Sequence, residues 1–123
     1  EQASWSPLPP MSSARYAACV AAVVGRIIVC GGADSEQRAL HSVECFDPAL
    51  GSWRSLRSLA QARYAAAVAV VAGKLYVCGG CDELRVLSSV ERFSMATGTW
   101  EIVQPLVHGR SHIGAMAAAL VRW

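Results

Sequence analysis

Charge is scarce in this chain: Asp, Glu, Lys and Arg make up 16% of its 123 residues, and lysine occurs once, at Lys74. The basic residues are scattered and the formal net charge is +2, so the electrostatic footprint of a nucleic-acid or membrane-surface binder is missing. Aromatics are also few, at 7%, and none alternate with basic residues as a single-strand stacking platform requires. The longest apolar stretch, Tyr16–Cys30, is broken by Arg26 and falls short of the roughly 20 residues of a membrane-spanning helix. The opening Glu-Gln-Ala-Ser-Trp has no initiator Met, basic segment or apolar leader, and reads as a cut inside a longer protein.

Apolar residues, by contrast, make up 54% of the chain, which excludes disorder and suits one ordinary domain. Five cysteines (Cys19, Cys30, Cys45, Cys78, Cys81) are an odd number in a core-rich sequence. Disulfide-stapled secreted domains are loop-rich with even counts, so reduced thiols in a cytoplasmic protein are expected.

The dominant feature is internal repetition. Ala14-Arg15-Tyr16-Ala17-Ala18 recurs as Ala62-Arg63-Tyr64-Ala65-Ala66, and Val29-Cys30-Gly31-Gly32 recurs as Val77-Cys78-Gly79-Gly80. Arg15 to Arg63, Gly31 to Gly79 and Trp5 to Trp53 are each 48 positions apart, while Arg63 to Arg110 and Trp53 to Trp100 are 47. Independent features that keep one period mark a repeat architecture.

Each period predicts four short strands: Tyr16–Val24, Ile27–Cys30, Val43–Phe46 and Trp53–Leu56, then Ala65–Val71, Leu75–Cys78, Val90–Phe93 and Trp100–Val103. Turn residues between them argue an all-β, antiparallel fold. Ala14–Val24 alone could pass as a helix, since alanine is the best helix former. Gly25 and Gly73 stop these segments after about ten residues and β-branched residues follow at once, so strand is the better reading. Small residues suit an innermost strand, where the blades of a radial array converge.

These residues resemble the Kelch repeat, a β-propeller blade of about 50 residues. The resemblance rests on Gly31-Gly32 and Gly79-Gly80, on Phe46…Trp53 and Phe93…Trp100, and on the Val43–Pro48 string. Family members usually carry Tyr where Phe46 and Phe93 stand. It implies a partial propeller: residues 1–11 as the outer strand of a preceding blade, 15–59 as blade one, 63–106 as blade two and 110–123 as the start of a third. The third departs from the pattern, with Leu120 where glycine is expected and Arg122-Trp123 in place of the next strand. Each Trp is expected to bury against a neighbouring blade. A closed propeller has 4–8 blades, so the open blade edges also predict self-association.

No catalytic, metal or cofactor motif stands out. Cys78-Gly-Gly-Cys81 has CxxC spacing, but no second pair completes a zinc site. His108 and His112 would share a face only on a helix, and His41 stands alone. Glu44 and Glu91 occupy equivalent positions on different blades, too far apart for a carboxylate pair, and a structural hydrogen-bonding role is expected. The glycine pairs lack dinucleotide-binding spacing. The chain is therefore read as a non-enzyme.

The resemblance is closest to the Kelch domains of BTB-Kelch adaptors, which present target proteins to cullin-based ubiquitin ligases. In those domains the Arg opening each innermost strand and its successor belong to the ligand-facing surface. That implies Arg15, Tyr16, Arg63, Tyr64, Arg110 and Ser111 as partner-binding residues, with loops Ala33–Leu40 and Cys81–Val86 on the same face. Guanidinium groups would favour an acidic peptide or loop. The competing reading pairs these arginines with Glu or Asp inside the blade. The cullin link would run through a BTB domain not contained in this sequence; a Kelch scaffold that binds actin or another cytoskeletal protein is the rival function.

Overall fold

The computed structural model describes residues 3–105. Eight strands form two four-stranded sheets, and no helix occurs among the described residues. Blade one consists of β1 (Cys19–Val23), β2 (Arg26–Cys30), β3 (Val43–Asp47) and β4 (Ser52–Leu56). Blade two consists of β5 (Ala67–Val71), β6 (Lys74–Cys78), β7 (Val90–Ser94) and β8 (Thr99–Val103). Each sheet is a meander in sequence order with every neighbouring pair antiparallel.

The turns follow from local chemistry. Val23 pairs with Arg26, which leaves Val24-Gly25 as a two-residue hairpin with φ of 49° and 75°. Both residues lie in the left-handed region, as the hairpin twist that suits flanking strands demands. Ala72-Gly73 repeats this at 52° and 75°.

The innermost strands are shorter than the sequence predicts. Ala17 and Ala65 have φ of 54° and 55°, so the chain kinks there, and regular pairing starts only at Cys19 and Ala67. Trp5–Pro9 is also not a strand, and Trp5 is fully exposed. An outer strand needs a third strand beside it to complete its ladder, and none of the described residues supplies one.

Alternation along each strand gives the blades two faces. One face of blade one carries Cys19, Val23, Ile28, Cys30, Val43 and Cys45, and it packs against Leu75, Val77 and Phe93 of blade two. At this junction Trp100 lies over Phe93, with ring centroids 5.0 Å apart. Burying a side chain such as Leu75 or Phe93 stabilises by roughly 1.5–3 kcal/mol. Trp53 stands on the other face of blade one, away from blade two. It lies over Phe46 of its own blade, centroids 5.2 Å apart, and donates its indole N–H to the Pro9 carbonyl at 2.7 Å. Its equivalent Trp100 donates to the Arg57 carbonyl at 2.8 Å, so each indole also pins the segment that enters its own blade.

The blades are further joined through main chain. Gly32 N–H donates to the Arg63 carbonyl (2.9 Å), Arg63 N–H to Leu40 (3.1 Å), and Ala65 N–H to Ala17 (2.9 Å). A β-carbon on Gly31 would stand 2.5 Å from the Arg63 carbonyl oxygen. That approach, with φ of 63°, is why the position needs glycine.

Candidate functional site

The segments entering each blade bring Arg15 and Arg63 to the ends of β2 and β6. Arg15 donates through Nη1 to the carbonyls of Gly31 (2.8 Å) and Ser42 (3.0 Å), and through Nη2 to Glu44 Oε2 (2.6 Å). Arg63 repeats the pattern on Gly79 (2.7 Å), Ser89 (3.0 Å) and Glu91 Oε2 (2.9 Å). The carboxylates also accept from the incoming segment: Glu44 from Ser12 N–H at 2.9 Å, and Glu91 from Ala60 N–H at 2.7 Å and Gln61 N–H at 3.1 Å. Burial pushes the Glu44 carboxyl up, but the Ser12 and Arg15 hydrogen bonds outweigh it and hold it below the usual range.

This corrects the expectation that Arg15 and Arg63 stand on a ligand-facing rim. Both side chains are 1% exposed and their charges are taken up by Glu44 and Glu91. An arginine already bridged to two carbonyls and a carboxylate inside the blade has no free fork to offer an acidic peptide. Only Nε of each lacks a partner, and it too is buried. The competing reading, arginines paired with Glu or Asp inside the blade, is the one that holds, and the partners it left unnamed are Glu44 and Glu91. Their shared recurrence, 29 and 28 positions after Arg15 and Arg63, was the signal that could have joined them.

The tyrosines are placed differently. Tyr16 is 51% exposed and forms a bridge with Ala33, which bridges in turn to Ala39. Tyr64, half-buried, bridges Cys81, which bridges Val86. Each tyrosine therefore sits at the base of the loop that follows a glycine pair. Both loops are braced from within by aspartate. Asp34 Oδ1 accepts from Glu36 N–H (2.9 Å) and Arg38 N–H (3.0 Å), and Asp82 Oδ1 from Leu84 N–H (2.9 Å) and Arg85 N–H (3.0 Å). These backbone donors hold both carboxyls below the ordinary aspartate range. Glu83 accepts from Ala39 N–H at 3.1 Å and so ties the loop of blade two to that of blade one.

The face so built carries four acids, Asp34, Glu36, Asp82 and Glu83, against two arginines, Arg38 and Arg85. Leu84 (91% exposed) and Val86 (52%) lie on the blade two loop that Glu83 ties to that of blade one. Arg38 pairs with Asp34 and Glu36, and Arg85 lies beside Asp82. Arg110 and Ser111 lie outside the described residues, as do His108 and His112. Cys78 is buried and Cys81 half-buried, and no group of metal-ligating side chains gathers among the described residues.

A family model described as Kelch motif matches residues 14–60 and 62–107. The chain belongs to the Kelch family. Kelch repeats generally mediate protein–protein interaction. Among 135 solved chains that match, the structure of YjhT superposes with a TM-score of 0.77 at 18% identity. The match covers 88% of this Kelch chain and 44% of YjhT, so the chain spans less than half of that protein's length. A likeness at that identity is one of fold. A comparison with curated proteins finds no match.

Proposed function

We propose that this Kelch chain contributes the partner-binding rim of a cytoplasmic substrate-recognition propeller, of the kind carried by BTB-Kelch adaptors of cullin ubiquitin ligases. The observation that carries the reading is the exposed Tyr16 on a braced loop base, with the exposed Leu84 and Val86 on the loop that Glu83 ties to it. Tyrosine presents a large amphipathic surface at low entropic cost and is enriched where binding energy concentrates. Loops held by Asp34, Asp82 and the Glu83–Ala39 link lose little freedom on binding, which favours affinity. The partner is a protein segment that offers apolar and hydrogen-bonding groups. An acidic segment is no longer favoured, because Arg15 and Arg63 are committed inside the blades.

The test compares affinity capture by the intact parent protein with that by its Tyr16→Ala/Tyr64→Ala variant. Recovery of a cullin and of BTB-domain peptides from the parent's own chain supports the adaptor reading. Selective loss of a third, substrate protein from the variant supports the rim. Actin or another filament protein recovered in place of a cullin would move the reading to a cytoskeletal scaffold. A variant that keeps every partner would remove the tyrosines from it.

A further inference from the structure

The two blades differ at the end opposite the rim, where the tight hairpin turns lie. In blade one Arg26 follows the turn and its Nε stands 3.3 Å from Asp47 Oδ2. The equivalent positions in blade two hold Lys74 and Ser94, paired across the ladder, so a hydroxyl stands where the acid would be. Arg54 is the second case. It faces Cys45 across the ladder, whereas its blade-two equivalent Glu101 is bonded to Arg92. Neither Arg54 nor Lys74 forms an ion pair among the described residues.

All three cations border one cleft between the blades, of about 500 Å³, with Ser94 and the turn residues Val24 and Gly73. Asp47 offsets one of the three charges, through Arg26. The remaining surplus matches a phosphoryl group, which carries about −1.5 to −2 at neutral pH. Guanidinium forks suit its oxygens, lysine adds a point charge, and a serine hydroxyl adds a further donor.

We propose that this inter-blade cleft is a phosphoryl-binding site formed by Arg26, Arg54, Lys74 and Ser94. It lies at the other end of the strands from the tyrosine rim and does not depend on the rim's function. The phosphoryl group can belong to a free anion or to a phosphorylated side chain of a partner, since the recognising chemistry is the same.

Inorganic phosphate and pyrophosphate are titrated into the full chain at fixed ionic strength, followed by amide NMR. Saturating shifts confined to Gly25, Gly73, Ser94 and their neighbours are expected. The Arg54→Ala/Lys74→Ala variant should weaken binding by about tenfold or more, since two charge-assisted contacts are lost. Arg38→Ala at the rim should change nothing. Because Arg54 is exposed, the single variants Arg54→Gln and Lys74→Gln provide a milder second pair, each expected to bind more weakly. Shifts that do not saturate, or affinity unchanged in these variants, overturn the site. A phosphoserine peptide that binds more tightly than pyrophosphate assigns the group to a protein partner, and the reverse order assigns it to a free anion. A glutamate version of the same peptide that binds as tightly as the phosphorylated one overturns phosphoryl recognition.

Discussion

Arg63 Nη2 stands 2.9 Å from Glu91 Oε2, and both side chains are shut off from solvent, at 1% and 0% exposure. The pair joins the segment entering blade two to the start of its third strand, and Glu91 also accepts two backbone N–H groups. Removing one charge from such a pair strands the other. Arg63→Ala should therefore cost about 3–5 kcal/mol, the range for breaking a buried ion pair. Glu91→Gln, which keeps an acceptor for Ala60, should cost less. Urea unfolding midpoints of the two variants check this order, and equal midpoints would refute it.

Gly31→Ala and Gly73→Ala separate close approach from backbone strain. Both glycines have positive φ, 63° and 75°, so each substitution carries about 1–2 kcal/mol of strain. Nothing lies within 4 Å of a β-carbon on Gly73, whereas one on Gly31 meets the Arg63 carbonyl. The Gly31 variant should thus melt well below the Gly73 variant. Similar melting temperatures would show that the blades are not in main-chain contact there.

The thiols should fall into two kinetic classes. Burial pushes Cys19 up to about 11, Cys78 up to about 12 and Cys30 further still. Cys45 is buried as well, while Cys81 is half-buried at a loop base. The thiolate is the reactive form, so a thiol reagent at pH 8 should label Cys81 first. The other four should react only as the fold opens. Peptide mapping after brief labelling gives the order, and early modification of Cys19 or Cys78 would contradict it.

Acid should loosen the blade one entry segment. The Glu44 carboxyl is held below its unfolded value of about 4.3. Its contribution is fully present above that unfolded value and is lost as pH falls through the folded one. Stability should drop from about pH 5 downward. A Glu44→Gln variant should lose less between pH 5 and pH 3 than the parent sequence. Parallel curves would show that Glu44 does not drive the acid response.

Much of the fold was legible because its causes are local or periodic. The glycine pairs, the hairpin turns and the Phe…Trp spacing each mark a backbone need that recurs once per blade. What escaped was set by chemistry that leaves no mark in one position. Alanine does not advertise a left-handed φ, so the kinks at Ala17 and Ala65 moved the strand starts. The arginines were visible as a set, but whether a guanidinium turns inward depends on a carboxylate that only the folded ladder brings beside it. Tyr16 and Tyr64 share one motif yet differ in exposure, and only the folded loop sets the Tyr64 hydroxyl 3.5 Å from the Asp82 carbonyl.

The Ala65 to Ala17 bond, like those of Gly32 and Arg63, runs from one backbone to another across the seam. A seam stitched this way is indifferent to which side chains decorate the loops above it. Apart from the bracing Asp34, Asp82 and Glu83, the side chains of residues 34–39 and 82–86 are consequently free to drift toward new partners, while the hub that carries them keeps its shape.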